Sequence, residues 1–145
     1  AQIWPLMAEE GVPLTDIRHL NHVGTIPVHT DLAVDDAIDF YEKLGPARKE
    51  ARLRFLQNYW TTKVRPLPRV RLHHPADPSK SCAIANVGIE GMKPALLAER
   101  LMKEYKIFTV AIDAGNIHGC RITPNVFTTL KELDVLVKAI TELAS

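Results

Sequence analysis

Gly119-Cys120-Arg121-Ile122-Thr123-Pro124-Asn125-Val126-Phe127-Thr128-Thr129 marks a change from strand to helix near the end of the chain. A short apolar run carrying one arginine is ended by Pro124, which cannot donate to a sheet ladder and restricts the residue before it. A polar turn follows. Thr129 then has Glu132 three residues on, the pattern of a capping box. Beyond it Leu133, Leu136, Val137, Ile140 and Leu143 recur on one helical face. A strand therefore hands over to an amphipathic helix whose apolar stripe needs a sheet to cover.

The segments upstream supply that sheet. Gly115-Asn116 makes a loop, and Ile107-Phe108-Thr109-Val110-Ala111-Ile112 before it reads as a strand. Pro94 suits the first turn of a helix with Leu97, Leu101 and Tyr105 on one face. Residues 82–90 read as a mostly buried strand that Gly91 ends. Val70-Arg71-Leu72, after Pro66 and Pro68, reads as a short strand at a sheet edge, and residues 73–78 as a turn. Farther up, Pro46 opens a helix to about Thr62 with Leu53, Leu56, Tyr59 and Trp60 as its stripe. The first helix carries Val34, Ala37, Ile38, Tyr41 and Leu44, with Thr30 or Asp31 as cap and Gly45-Pro46 as stop. The order predicts an α+β fold, a small, largely antiparallel sheet with helices packed on one face. Residues 1–20, broken by Pro5, Gly11 and Pro13, read as a lead-in that needs a partner surface.

Length and composition narrow the classes. A chain of 145 residues suits one domain with a sizeable core. A net charge of +1 with 24% charged residues does not by itself call for nucleic acid or a membrane. No apolar run approaches spanning length and no basic-then-apolar leader opens the chain, so a soluble, cytoplasmic protein is expected. Cys82 and Cys120 lie in apolar, strand-like runs without a CxxC pair, which fits buried reduced thiols. The chain starts at Ala1 without a methionine, as a processed chain or a piece of something longer would.

Several candidate sites weaken on inspection. The basic run from Arg48 to Arg71 invites nucleic acid, but Tyr59 and Trp60 fall on its apolar stripe rather than between the charges, so base stacking would expose core residues. Adjacent His73 and His74 would point to opposite faces if they extend the strand, and His118 with Cys120 is too small a set, so no metal is expected. No GxSxG or cysteine motif marks a nucleophile. Arg121 remains. On a strand end it can hold a carboxylate through two parallel hydrogen bonds, which lysine cannot reproduce, although spacing alone favours a surface arginine paired with a nearby Glu or Asp. Gly24-Thr25, a small-residue turn before a helix, suits a phosphate, with plain helix-start chemistry the favoured use when it is taken alone.

His22-Val23-Gly24-Thr25, Arg48-Lys49-Glu50-Ala51-Arg52-Leu53-Arg54 and the stretch from Gly119 to Thr129 resemble, in order and separation, the C-terminal part of class V aminotransferase-type enzymes that use pyridoxal phosphate. Within that class the chain is most similar to the isopenicillin N epimerase-like branch, over nearly its whole length. The resemblance implies that residues 21–145 are the C-terminal small domain of a fold-type I enzyme, and that residues 1–20 belong to its junction with a large domain. It implies that Arg121 binds the α-carboxylate of an amino-acid substrate. It also implies that Thr25 contacts the cofactor phosphate of the neighbouring subunit in a homodimer. Two departures accompany it. The loop Asp113 to Gly119 lacks the reactive cysteine of related desulfurases, and Phe127-Thr128-Thr129 stands where many relatives have Tyr-Asn-Thr. None of the nine lysines follows the family's Schiff-base pattern, so the catalytic lysine is expected upstream. The chain alone should therefore bind no cofactor covalently and hold no catalytic residue. Transamination, epimerisation and lyase chemistry all stay open, and the rival reading is a stand-alone basic binding module without catalysis.

Overall fold

The computed structural model describes Pro13, Thr15, Asp16, residues 27–75 and residues 77–145. The chain divides into two compact units, Ala1–Lys43 and Leu44–Ser145. The first unit contains all but the last residue of helix α1 (Val28–Leu44). That helix begins ahead of the expected Thr30 or Asp31 cap, and the Thr30 N–H donates to the Pro27 carbonyl at 2.8 Å. Its period is helical as expected, yet none of its residues is buried.

In the second unit Gly45 turns the chain at φ 81°, a left-handed conformation that glycine reaches without cost, and Pro46 starts α2 (Pro46–Val64) with its φ already set. Helix α2 buries Leu56, Gln57, Trp60, Thr61 and Val64. The strands β1 (Val70–Leu72), β2 (Ala85–Ile89), β3 (Val110–Ala114) and β4 (Ile117–Ile122) form one sheet in the order β1-β2-β4-β3. Every neighbouring pair is antiparallel. Helix α3 (Pro94–Tyr105) joins β2 to β3, and α4 (Leu130–Ala144) follows β4. The α+β arrangement, a small antiparallel sheet with helices, is the one the pattern predicts.

Alternation along the central strands builds the core. Ala85, Val87 and Ile89 of β2 and Cys120 and Ile122 of β4 are buried with Leu97 and Leu101 of α3 and with Leu133, Leu136 and Ile140 of α4. The capping box forms as read: the Glu132 N–H donates to Thr129 Oγ1 at 3.3 Å, and the Thr129 N–H donates to Glu132 Oε2 at 2.7 Å. The backbone N–H of Thr129 holds the Glu132 carboxyl below its usual value.

Two strands differ from expectation. β2 begins at Ala85, so Cys82 lies outside it and is only half-buried, while Cys120 is buried. β3 begins at Val110 rather than Ile107 because the preceding residues cap α3. Lys106 adopts φ 61°, its N–H donates to the Met102 carbonyl at 3.2 Å, and the Ile107 N–H donates to the Leu101 carbonyl at 3.0 Å. Backbone spent on that paired closure is not free for a ladder.

Candidate functional site

Because Cys120 and Ile122 point to the helices, Gly119 and Arg121 point to the opposite face of the sheet. The register puts Asn86 of β2 and Val110 of β3 opposite Arg121, and Ile112 opposite Gly119. Directly opposed residues on one face have Cβ atoms about 5 Å apart, so Asn86 and Arg121 are side-chain neighbours. His73, just past the end of β1, donates its N–H to the Asn86 carbonyl at 2.9 Å and so continues the pairing.

Two glycines keep this face low. A Cβ at Gly119 would lie 2.4 Å from the Val87 carbonyl oxygen and 2.5 Å from Asn86 Oδ1. One at Gly88 would lie 2.3 Å from the His118 carbonyl oxygen. Glycine inside a strand often marks a place where a ligand or another backbone comes close. Here a depression of about 220 Å³ opens on that face, with His73, His74, Asn86 and Arg121 as its polar lining and Ile112 and Ile117 among its apolar walls. Extended strand alternation was expected to separate His73 from His74, but β1 stops at Leu72 and both line the depression.

The polar groups there are short of partners. Arg121 is exposed, and its guanidinium makes no hydrogen bond or ion pair among the described residues. Asn86 is 8% exposed, and neither its Nδ2 nor its Oδ1 has a partner among the described residues. Leaving a buried polar group unpaired costs about 1–3 kcal/mol. His74 Nδ1 is also buried without a partner, and burial, then the charge of Arg65, holds the imidazole below its ordinary value of 6.5.

Four other basic residues of the α2–β1 region, Arg52, Lys63, Arg69 and Arg71, are engaged within the fold. Arg52 Nη2 donates to the Thr128 carbonyl at 3.0 Å, and Arg69 Nη2 to the Glu90 carbonyl at 2.9 Å. Lys63 donates to Asp134 at 2.7 Å while its ammonium lies 3.7 Å from the Tyr59 ring centre. The hydrogen bond to Asp134 raises the Lys63 value. Arg71 pairs with Glu90. Trp60 is fully buried, as the stripe requires.

The remaining candidates carry less. Cys120 Sγ sits 3.5 Å from the Pro94 carbonyl, and burial pushes its thiol up, away from a thiolate. His118 Nδ1 is 2.6 Å from Asp113 Oδ1 across the β3–β4 hairpin. Among the described residues no three His, Cys, Asp or Glu side chains converge on a metal-sized site, and no helix is long and apolar enough to cross a membrane. A larger cavity of about 390 Å³ lies between the end of α3 and the start of α4. The carboxylate in its lining, Glu132, is already occupied by the helix cap.

Of the residues singled out in the sequence, Arg121 lies exposed on β4 and lines the depression, whereas Thr25 and residues 22–24 lie outside the described residues. Asn86 was missed. Its signal was present as the lone amide in Ala83-Ile84-Ala85-Asn86-Val87-Gly88-Ile89, since a polar side chain within a buried strand is the informative exception.

No protein-family model and no curated protein sequence matches the chain. Solved structures do match its fold. A cysteine desulfurase from Thermococcus onnurineus NA1, in its apo form, superposes with a TM-score of 0.72 at 20% identity, covering 83% of this chain and 32% of its own. An alanine–glyoxylate aminotransferase from Nostoc sp. superposes with a TM-score of 0.65 at 19% identity, covering 91% of this chain and 37% of its own. The chain thus spans about a third of the length of each.

Proposed function

We propose that this chain is the small domain of a pyridoxal-phosphate enzyme of the class V aminotransferase type, in which Arg121 binds the carboxylate of an amino-acid substrate. The observation that carries the reading is the Arg121 guanidinium on the low face of the sheet, unpaired among the described residues, beside a buried amide that also lacks a partner among them. An arginine fork matches a carboxylate in charge and shape. The sequence resemblance supplies the class, and the fold likeness to a desulfurase and an aminotransferase agrees with it.

Among the described residues no lysine lines the depression, so this reading puts the Schiff-base lysine on a large domain and leaves the cofactor site incomplete on this chain. Pyridoxal phosphate, when bound there, supplies the electron sink. Arg121 fixes the substrate by its carboxylate and so sets which bond at the α-carbon is presented. Thr25 of a neighbouring subunit contacting the cofactor phosphate, a homodimer, and the isopenicillin N epimerase-like branch all belong to this proposal. The β3–β4 hairpin turns at Gly115-Asn116 without a cysteine, which weighs against desulfurase chemistry. The reading of a stand-alone basic module loses ground because Arg52, Lys63, Arg69 and Arg71 are engaged within the fold.

The test is Arg121→Ala in the polypeptide that joins this chain to its cofactor-holding domain. Losing charge-assisted hydrogen bonds worth about 1.5–3 kcal/mol each should raise KM for amino-acid substrates at least tenfold. Unchanged KM and kcat would sink the assignment. Adding pyridoxal phosphate to the 145-residue chain alone should give no stoichiometric visible band, and such a band would overturn the half-site reading.

A further inference from the structure

We propose that His73 is a specificity-determining residue that reads a side-chain carboxylate, so that the ligand held by Arg121 is an amino acid of the aspartate or glutamate kind. The inference rests on the carboxylate reading of Arg121 and names the substrate class of the same depression. Its own support is the placement of the His73 ring. The His73 N–H donates to the Asn86 carbonyl at 2.9 Å, which fixes the backbone just past β1. From there the ring reaches over Gly88, and its Nε2 lies 3.3 Å from where a Cβ on that glycine would stand. His73 is half-buried, and among the described residues its ring nitrogens have no hydrogen-bond partner and are not closed off. The Asn86 amide between His73 and Arg121 is closed off, so it is floor rather than a contact for a ligand.

His73, Asn86 and Arg121 stand side by side on the continuation of β1, on β2 and on β4. With strands about 4.8 Å apart, the backbones of His73 and Arg121 are roughly 10 Å apart. Both side chains line one depression. A ligand that touches both therefore carries two hydrogen-bonding groups a few bonds from each other. The α-carboxylate takes the Arg121 fork, and the far end of the side chain meets His73. The α-amine is touched by neither and stays free to bond the cofactor. Chemistry selects a carboxylate for the far end. A neutral imidazole offers one N–H, and a charged acceptor roughly doubles the strength of the bond it makes. Among the described residues no Asp or Glu lines the depression, so nothing there offsets the positive field of Arg121 or would pair with a cationic side chain. Ile112 and Ile117 supply an apolar wall for the methylenes between the two carboxylates.

Nitrogen-15 correlation spectra of the 145-residue chain, following the His73 ring and the Arg121 Nε–H, test this with L-aspartate, L-asparagine and L-leucine at matched ionic strength. Arg121 should move saturably with all three. The His73 ring should move with L-aspartate, which should bind about tenfold more tightly than L-leucine and about threefold more tightly than L-asparagine. His73→Phe keeps a ring and removes the N–H, and it should bring L-aspartate down to the affinity of L-leucine. His73→Gln, which keeps an N–H donor, should retain the preference. A ring that only covers Gly88 would leave the preference intact in His73→Phe, and that result would overturn the inference. So would a His73 ring unmoved by L-aspartate, or either neutral ligand binding as tightly as L-aspartate. In each of these cases a moving Arg121 leaves the carboxylate reading standing. If Arg121 moves with none of the three ligands, its role and the inference fall together.

Discussion

Replacing Gly119 by alanine would put a methyl carbon 2.4 Å from the Val87 carbonyl oxygen and 2.5 Å from Asn86 Oδ1. The amide can rotate away, but the carbonyl belongs to the β2 backbone and can move only with its strand. β2 and β4 would have to part at the centre of the sheet. Overpacking of this kind costs roughly 1–3 kcal/mol, and a strained ladder hydrogen bond adds about 1. For a unit of roughly 100 residues, Leu44–Ser145, a loss near 3 kcal/mol lowers Tm by roughly 12–24 °C. Gly115→Ala is the control. Its φ of 57° strains an alanine by about 1–2 kcal/mol, but nothing lies within 4 Å of the added carbon. Thermal unfolding followed by circular dichroism should therefore show Gly119→Ala well below Gly115→Ala. Equal melting of the two variants would refute the claim that bare backbone forms the floor of the depression.

Two further outcomes follow from the electrostatics and capping. Thr129→Ala removes the α4 N-cap and should cost about 1 kcal/mol in urea unfolding at neutral pH. Because the Glu132 carboxyl is held below its ordinary 4.5, its contribution is present above that pH and lost as pH falls through the depressed value, so the difference between variant and parent should shrink in acid. His74 works in the other sense for a base: the folded chain binds its proton less readily than the unfolded chain does. Stability should accordingly fall as pH drops below about 6.5 and level off below the folded value, and His74→Phe should remove that fall in a pH series of urea midpoints.

What was legible in the sequence was what is local. The α4 cap and stripe sit within one turn of each other, and Pro124 and Gly45 punctuate their elements wherever they occur. The start of β3 was not legible, because the α3 closure uses Lys106 in a left-handed conformation where a glycine would have announced it. The apolar run before β2 showed a buried strand but not its first residue, since bends at Cys82 and Ala83 leave the hydrophobic pattern unchanged. Arg121 stood out because a strand arginine is chemically specific. Asn86 did not, because its meaning comes from pairing with Arg121 across β2 and β4 and from the glycine beside it, relations that depend on register.

The most direct test of the central claim compares two ligands on two proteins. In the polypeptide that joins this chain to its cofactor-holding domain, the affinity for L-alanine and for ethylamine is measured with Arg121 and with Arg121→Lys. The lysine variant should bind L-alanine about 10- to 100-fold more weakly, through loss of the second hydrogen bond of the arginine fork, while ethylamine binding is unchanged. Equal effects on both ligands, or none on L-alanine, would contradict that claim.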